Sequence, residues 1–269
     1  MTDILTPLKF DPSRSENNDM FVHAFARGLE VIRSFGEGAE RQTLSDVARR
    51  SNISRASARR LLHTLLQLGY VDYDGKLFWL KPKVLDLGYS FIASLDFAGI
   101  AQDSLNDLAK RSNSSASLCV LAGHEVVYVA RSSVRNGSRC TNVIGDRQAA
   151  HLLSMGRVLL AQLSDAELDH YLSTVPLTRH TPYTITHPKE LRKTIHADRA
   201  KGWSIVRREM NEGVCAVAMP IRSKDGRVIA GLGLSIRPDL SNDPDVVNEA
   251  LAQLSTAIEN IEGLISLRV

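Results

Sequence analysis

The chain has 269 residues, of which 43% are hydrophobic and 23% are charged, and its formal net charge is +3. This composition is typical of a globular protein with one large or two ordinary domains, and so small a net charge does not by itself indicate nucleic-acid binding. Cys119, Cys140 and Cys215 are scattered and form no CxxC pair, which argues against a zinc site or a disulfide framework. With no apolar run long enough for a signal peptide or a membrane span, we expect a cytoplasmic protein with reduced thiols.

The N-terminal part predicts a tail and three short helices. Residues 1–20 are polar and are interpreted as a disordered tail, and residues 22–36 carry apolar side chains at helical spacing. Thr43 begins the second helix as the first member of a capping box with Asp46, and Ser54 caps the third helix. We therefore expect three helices, with only a short turn between the second and the third.

A hairpin follows the third helix. Gly69 ends that helix, and YVDYDGKLFWL then alternates like two strands around a tight turn at Asp74-Gly75. Three short helices, the last two joined by about four residues, followed by a hairpin are typical of a winged helix-turn-helix. The sequence therefore predicts a DNA-binding domain over residues 21–81.

The third helix has three arginines and no acidic residue between positions 54 and 68. Because its leucines fall on one face, the arginines must point away from the packed side. Arginine can bind the O6 and N7 atoms of guanine with two hydrogen bonds, and other arginines can neutralise phosphates. The caps, the turn and the wing together favour major-groove recognition over a merely solvated basic face. The candidate DNA-binding residues are Thr43, Ser54, Arg55, Ser57, Arg59, Arg60, His63 and Lys76.

The rest of the chain predicts a helical linker over residues 82–112 and an α+β domain over residues 113–269, because antiparallel strand pairs alternate with helices. The elements expected in this domain are a strand pair over 115–133, a loop over 136–146, helices over 151–163, 164–175 and 188–202, a strand over 203–210, a hairpin over 214–236 and a helix from Asp243 to the C-terminus.

After about residue 22 the chain resembles the IclR family of bacterial transcription regulators. ARGLEVIRSF resembles the family's first helix, LSDVARRSNISRASARRLLHTLLQLGYV its helix-turn-helix, and LKPKVLDLGYSF the start of its linker helix. SMGRVLLA and EGVCAVAMPIRSKDGRVIAGLGLS are similar to two signatures of its effector domain. ARGLEVI, ASARRLLHTLLQLGY and SMGR most resemble the branch that controls aromatic-acid catabolism through the β-ketoadipate route, whose members respond to protocatechuate, 4-hydroxybenzoate or β-ketoadipate.

The resemblance implies a winged helix that binds operator DNA and a GAF-like C-terminal domain that binds a small carboxylate, here an aromatic one. It also implies a homodimer, or a tetramer made of two dimers. The effector-binding residues that it implies are His151, Leu153, Ser154, Met155, Arg207, Cys215, Ala216, Ala218, Gly233 and Ser235.

Several of these residues keep two interpretations. Arg207 and Arg208 stand where family members often have an acid or an amide, and they are either partners of a carboxylate or exposed strand residues. His151 is either a ligand contact or a structural histidine. Cys215 is either a small buried hydrophobe or a redox sensor.

No enzyme signature is present. Ser154 does not lie in a G-x-S-x-G turn, and HExxH, P-loop and GxGxxG patterns are missing, so we expect neither catalysis nor a cofactor or metal. Two alternatives stay open: a regulator that senses a non-aromatic carboxylate, and a ligand-binding module without specific DNA binding. A purely architectural DNA binder would not need a second domain of this size.

Overall fold

We describe a computed structural model of the protein, which covers residues 21–36, 38–88, 96–133 and 143–267. The chain forms two compact units that divide between residues 94 and 95. The expected tail over residues 1–20 lies outside the described residues, as do Cys140 and most of the predicted loop. No helix in the described part of the chain is long and apolar enough to cross a membrane.

The N-terminal unit has the predicted winged helix-turn-helix. The capping box is present: Thr43 Oγ1 accepts a hydrogen bond from the Asp46 backbone N–H, and the Asp46 carboxylate accepts one from the backbone N–H of Thr43. Gln42 pairs with Phe78 through two backbone hydrogen bonds, which adds an antiparallel bridge to the two-stranded wing. The elements are α1 (His23–Arg33), α2 (Leu44–Arg50), α3 (Arg55–Gln67), β1 (Val71–Tyr73) and β2 (Phe78–Leu80).

The segment expected to be a linker has two structural environments. After β2 the chain forms a 3-10 turn at Pro82–Val84 and a short helical stretch over residues 85–88. The later part forms α4 (Asp96–Ser112), whose residues Leu105 and Leu108 are fully buried in the core of the C-terminal unit. The second half of this segment is therefore built into the C-terminal unit.

The C-terminal unit contains a six-stranded antiparallel sheet with the strand order β5-β4-β3-β8-β7-β6. Its strands are β3 (Ser115–Ala122), β4 (Glu125–Ser133), β5 (Arg147–Ala149), β6 (Ser204–Arg207), β7 (Cys215–Arg222) and β8 (Val228–Ile236). Its other helices are α5 (Ser154–Leu160), α6 (Asp165–Thr174), α7 (Pro188–Lys201) and α8 (Pro244–Leu267). The predicted α+β class is confirmed.

Each face of this sheet has its own core, because successive residues of a strand point to opposite sides. On β8, Leu232 and Leu234 pack with α4 and α8. Met155 of α5 and Leu168 of α6 belong to a second cluster that covers the other face. Gly231 and Gly233 point to this second face, where a Cβ on Gly231 would lie 2.8 Å from the carbonyl oxygen of Met155. The sheet therefore approaches α5 closely only where it has no side chain.

Two boundaries differ from the predicted ones, and one strand is additional. The helix expected over residues 151–163 begins at Ser154, because a 3-10 turn precedes it and Leu153 is extended, with φ −123° and ψ 142°. The strand expected over residues 203–210 ends at Arg207, because Arg208 has a left-handed backbone with φ +60°. The short strand β5 was not predicted from the sequence.

Candidate functional site

The third helix presents its basic residues to solvent. Leu62 and Ala58 are fully buried, whereas Arg55, Arg59 and Arg60 are all exposed. Within the described residues none of these arginines forms an ion pair, and α3 contains no acidic side chain that would neutralise them. Their charge is therefore available to an anionic partner.

The remaining candidates of the DNA-binding set surround this helix. Ser54 is the N-cap of α3, and its hydroxyl accepts a hydrogen bond from the Ser57 backbone N–H at 3.2 Å. His63 is exposed one turn further along. Lys76 is exposed at the tip of the wing, where the Asp74 carboxylate fixes the turn by accepting from two backbone N–H groups. Thr43 is half-buried and engaged in the capping box of α2.

One face of the C-terminal sheet carries small and polar side chains instead of large apolar ones. In the strand register Ser117 lies opposite Arg131 on one side and Gly233 on the other, and Gly233 lies opposite Ala218. These four residues share one face, because directly paired residues point to the same side of a sheet. Ser117, Gly233 and Ala218 are small, which leaves space above this part of the sheet.

The neighbouring row on the same face continues this composition and completes a cavity. Ser115 lies opposite Ser133, with their hydroxyl oxygens 3.0 Å apart, and Ser235 lies opposite Ala216. The cavity is small, with a volume of about 50 Å³. It is lined by Ser115, Ser117, Tyr128, Arg131, Leu152, Leu153, Ser154, Met155, Val206, Met210, Asn211, Val214, Ala216, Gly233 and Ser235.

The first residues of α5 close the cavity opposite the sheet. Met155 packs directly over Gly233, where an added Cβ would lie 2.6 Å from the Met155 Cγ. Ser154 is 2% exposed, and its hydroxyl has no hydrogen-bond partner among the described residues. A buried hydroxyl without a partner costs free energy, so a ligand that bonds to it removes that cost.

A buried ion pair joins the two sides of this cavity. The Arg157 guanidinium lies 2.7 Å from the Glu209 carboxylate, and it also donates to the carbonyl oxygen of His151 at 2.9 Å. Arg157 follows the lining residues of α5, and Glu209 directly precedes Met210, which lines the opposite wall. The same carboxylate accepts a hydrogen bond from the Ile185 backbone N–H. The pair therefore fixes the distance between the two walls.

Six of the ten predicted effector residues line the cavity, and four lie outside it. His151 is buried, and its Nδ1 lies 2.8 Å from the Tyr171 hydroxyl. Burial and the nearby Arg157 charge lower the pKa of His151 to about 4. The ring is therefore neutral at physiological pH. The six that line it are Leu153, Ser154, Met155, Ala216, Gly233 and Ser235.

The other three predicted residues, Arg207, Cys215 and Ala218, do not line the cavity. The guanidinium of Arg207 donates to the Ser241 carbonyl oxygen at 2.9 Å. Cys215 is 1% exposed, with a free thiol that does not line the cavity, and Ala218 is fully buried in the cluster that contains Met155. Arg208, which shared an interpretation with Arg207, lies over the Tyr183 ring at 5.7 Å.

Sequence reasoning missed nine of the lining residues. The two serines of β3 at positions 115 and 117 were detectable, because hydroxyls two residues apart face the same side of a strand. Arg131 was not detectable in this way. β4 has a β-bulge, an extra residue opposite the step from Leu118 to Cys119, and it interrupts the alternation of sides between Tyr128 and Arg131. The missed residues are Ser115, Ser117, Tyr128, Arg131, Leu152, Val206, Met210, Asn211 and Val214.

Comparison with known families decides the class of protein. The model of the bacterial transcriptional regulator IclR C-terminal domain matches residues 89–262, and that of the IclR helix-turn-helix domain matches residues 24–75. The chain belongs to the IclR family. It is a DNA-binding transcriptional regulator, as predicted, and its relatives are regulators rather than enzymes.

Individual IclR relatives agree with the predicted branch. The Pca regulon regulatory protein of Pseudomonas putida is 37% identical over 216 residues, which are 80% of this chain and 74% of that protein. The p-hydroxybenzoate hydroxylase transcriptional activator of Acinetobacter baylyi is 32% identical and covers 91% of this chain and 92% of its own. A transcriptional regulator from Rhodococcus sp. RHA1 superposes with a TM-score of 0.81 at 40% identity, covering 91% of this chain and 99% of its own.

An IclR homologue from Microbacterium hydrocarbonoxydans, solved with 4-hydroxybenzoate, superposes with a TM-score of 0.80. It is 24% identical and covers 90% of this chain and 99% of its own. At this identity the match supports the fold alone.

Proposed function

We propose that this regulator controls genes of aromatic-acid catabolism and that an aromatic carboxylic acid in the C-terminal cavity changes its affinity for operator DNA. The main observation is the cavity itself, which has serine-lined and apolar walls. It also holds the buried Ser154 hydroxyl, which has no hydrogen-bond partner in the described part of the chain. A benzoate-type ligand needs such a mixture, because its ring is apolar and its substituents are polar. The names of the Pca and p-hydroxybenzoate relatives support the same class of ligand.

In this proposal the ligand contacts the six predicted residues that line the cavity. Ser154 and Ser235 offer hydroxyl groups, and Leu153 and Met155 offer apolar surface to the ring. The other four predicted residues do not contact the ligand in this proposal, because they lie outside the cavity lining: His151, Arg207, Cys215 and Ala218.

On the DNA side, Arg55 and Arg59 of α3 contact bases or phosphates in the major groove, and Lys76 contacts the backbone from the wing. Their exposure and the absence of acidic residues from α3 support this assignment. Thr43, Ser54, Ser57, Arg60 and His63 complete the proposed interface. The proposed domains are 21–81 for DNA binding, 82–112 for the connection and 113–269 for the effector.

We propose a homodimer, or a tetramer made of two dimers, and a cytoplasmic location. Val22, Phe25 and Leu29 form an exposed apolar stripe on and just before α1, with exposures of 65%, 68% and 42%. Exposed apolar stripes of this kind are typical of an interface. A symmetric dimer would place two recognition helices on two half-sites of an operator.

Effector and operator are then linked thermodynamically. A coupling of ~1–3 kcal/mol changes DNA affinity about 5- to 150-fold, and the operator must change the affinity for the effector by the same factor. Ligand binding would act by changing the spacing or the mobility of the two helix-turn-helix units through the 82–112 connection.

Fluorescence anisotropy on DNA from upstream of the regulator's own gene tests this proposal. Titrations in excess nonspecific competitor, with and without 4-hydroxybenzoate, protocatechuate and β-ketoadipate, should show tight binding that an aromatic acid shifts. Ser154→Leu should keep the DNA affinity and lose the shift. A shift by β-ketoadipate alone would favour the non-aromatic alternative, and no specific binding to any fragment would favour a ligand-binding module.

A further inference from the structure

We propose that residues 210–213 form a movable lid over the cavity, and that an aromatic acid gains the space it needs by displacing this lid toward a neighbouring groove. These four residues, the lid segment, lie in the connection between β6 and β7. The inference rests on the proposed function, because it describes how the same cavity admits its effector.

The size of the cavity is the first argument. Its volume is about 50 Å³. A benzene molecule occupies a cavity of roughly 150 Å³, and an aromatic acid adds a carboxylate to such a ring. Part of the cavity wall must therefore move when an aromatic acid binds.

The sheet and the helix that form two of the walls are held by close contacts. A Cβ on Gly231 would lie 2.8 Å from the Met155 carbonyl oxygen, so β8 and α5 are already in contact. At the other end of α5, the Arg199 guanidinium donates to the carbonyl oxygens of Ala161 and Leu163, both at 2.7 Å. A shift of either wall would break these contacts.

The lid segment is held much more weakly. Met210 and Asn211 line the cavity, and Asn211 is exposed to solvent on its other side. The bonds of Asn211 are local: its Oδ1 accepts from the Gly213 backbone N–H at 2.8 Å, and its carbonyl oxygen accepts from the Val214 backbone N–H at 3.0 Å. Among the described residues, no hydrogen bond joins residues 210–213 to a helix or a strand. This is therefore the part of the wall that can move at the lowest cost.

The residues on both sides of the lid segment are anchored, which confines the movement to it. Thr184 Oγ1 donates to the Glu209 carbonyl oxygen at 2.6 Å, and the Glu209 carboxylate is paired with Arg157. The Arg208 backbone N–H donates to the Val214 carbonyl oxygen at 2.9 Å and closes the base of the connection. Residues 210–213 can therefore swing between two fixed points.

A neighbouring groove provides the space for this movement. The groove has a volume of about 720 Å³, and Gly213 of the lid segment lines it. Ser115, Val214 and Ser235 line both the groove and the cavity, so the two spaces adjoin at these residues. Displacement of the lid segment toward the groove would enlarge the cavity without shifting the sheet or α5.

A fluorescent label on the lid segment measures the movement. Glu212 is exposed and does not line the cavity, so Glu212→Cys can carry an environment-sensitive dye in a Cys140→Ser background, where Cys119 and Cys215 are buried. The control is the same dye on Lys193→Cys, at an exposed position of α7. Titration with 4-hydroxybenzoate should change the emission of the Glu212 label over the concentrations at which calorimetry of the unlabelled protein detects binding. The emission of the Lys193 label should stay constant.

Stopped-flow mixing of the Glu212-labelled protein with 4-hydroxybenzoate tests whether the lid limits entry. The observed rate should level off at high ligand concentration, because the lid must open for the ligand to enter. Asn211→Ala removes the acceptor of the Gly213 N–H, and we expect it to raise the limiting rate about 2- to 10-fold. Asn242→Ala, an exposed asparagine outside the lid segment, should leave the limiting rate unchanged.

The outcomes separate the lid from the proposed function. If calorimetry detects binding while the Glu212 label stays silent, the wall is fixed, and the inference is overturned with the proposed function intact. A limiting rate that is the same in Asn211→Ala as in the wild type would also overturn it. A wild-type protein that binds no aromatic acid would overturn both.

Discussion

Replacing Glu209 by alanine tests how strongly the buried ion pair holds the C-terminal unit together. The side chains of Arg157 and Glu209 are 2% and 8% exposed, and their charged atoms lie 2.7 Å apart. Removing one partner leaves the other charge buried without compensation, which costs about 3–5 kcal/mol. The Ile185 backbone N–H also loses its acceptor. We therefore expect Glu209→Ala to lower the free energy of unfolding by at least about 3 kcal/mol.

Urea denaturation measures this loss, and an exposed pair gives the control. Trp203 belongs to the C-terminal unit, so its fluorescence in a Trp79→Phe background reports on that unit alone. The pair of Glu125 with Arg147 has side chains that are 43% and 48% exposed. Glu125→Ala should therefore cost less than about 1 kcal/mol, because exposed ion pairs contribute little.

Two outcomes would refute this reasoning. If Glu209→Ala cost no more than Glu125→Ala, then the Arg157 charge would not be buried as described. If the double variant Arg157→Met/Glu209→Leu were as unstable as Glu209→Ala, then the loss would come from packing and not from an uncompensated charge. We expect the double variant to recover most of the stability, because apolar side chains of similar volume can replace a buried pair.

Three further changes test separate parts of the structure. Arg59→Ala should weaken operator binding by ~1–3 kcal/mol in an anisotropy titration, whereas Arg111→Ala, an equal charge loss on the surface of α4, should not. Burial lowers the pKa of His151 from its ordinary value of 6.5 to about 4, so the neutral ring stabilises the fold fully above pH 6.5, and this stability is lost as the pH falls toward 4. About 2–3 kcal/mol should be lost by pH 4.5 in the wild type but not in His151→Gln, measured by urea denaturation at both pH values. Gly156→Ala should destabilise the C-terminal unit by ~1–3 kcal/mol, since its Cβ would lie 2.0 Å from a backbone carbonyl oxygen. Gly263→Ala, at an exposed position of α8, should be neutral or stabilising in the same assay.

The N-terminal unit was predictable because its signals are local. Thr43 and Ser54 cap the helices they precede, and the Asp74-Gly75 turn lies between β1 and β2 as expected. Caps and tight turns depend on residues only three or four positions apart, so a single sequence contains the whole signal. The winged helix-turn-helix followed from these signals alone.

The start of α5 depends on contacts that are distant in sequence. The local pattern is consistent with a helix over residues 151–163. In the structure Leu153 is extended, and the helix begins at Ser154. Met155 packs on Gly233, which lies 78 residues away on β8, and this contact determines where the helix can run. Local periodicity does not contain that information.

The cavity depends most clearly on strand pairing, which a single sequence does not reveal. Ser117, Gly233 and Ala218 come from three strands, and they form one surface only because β3, β8 and β7 are neighbours in this register. A shift of one residue between strands would turn the serines toward the opposite core. Arg131 reaches this surface beside a bulge, whose extra residue changes the side that a simple alternation assigns. Residues of this kind can be identified only once the strand register is known, and this explains why the sequence motifs identified the regulator and six lining residues but not the basic residue of the cavity wall.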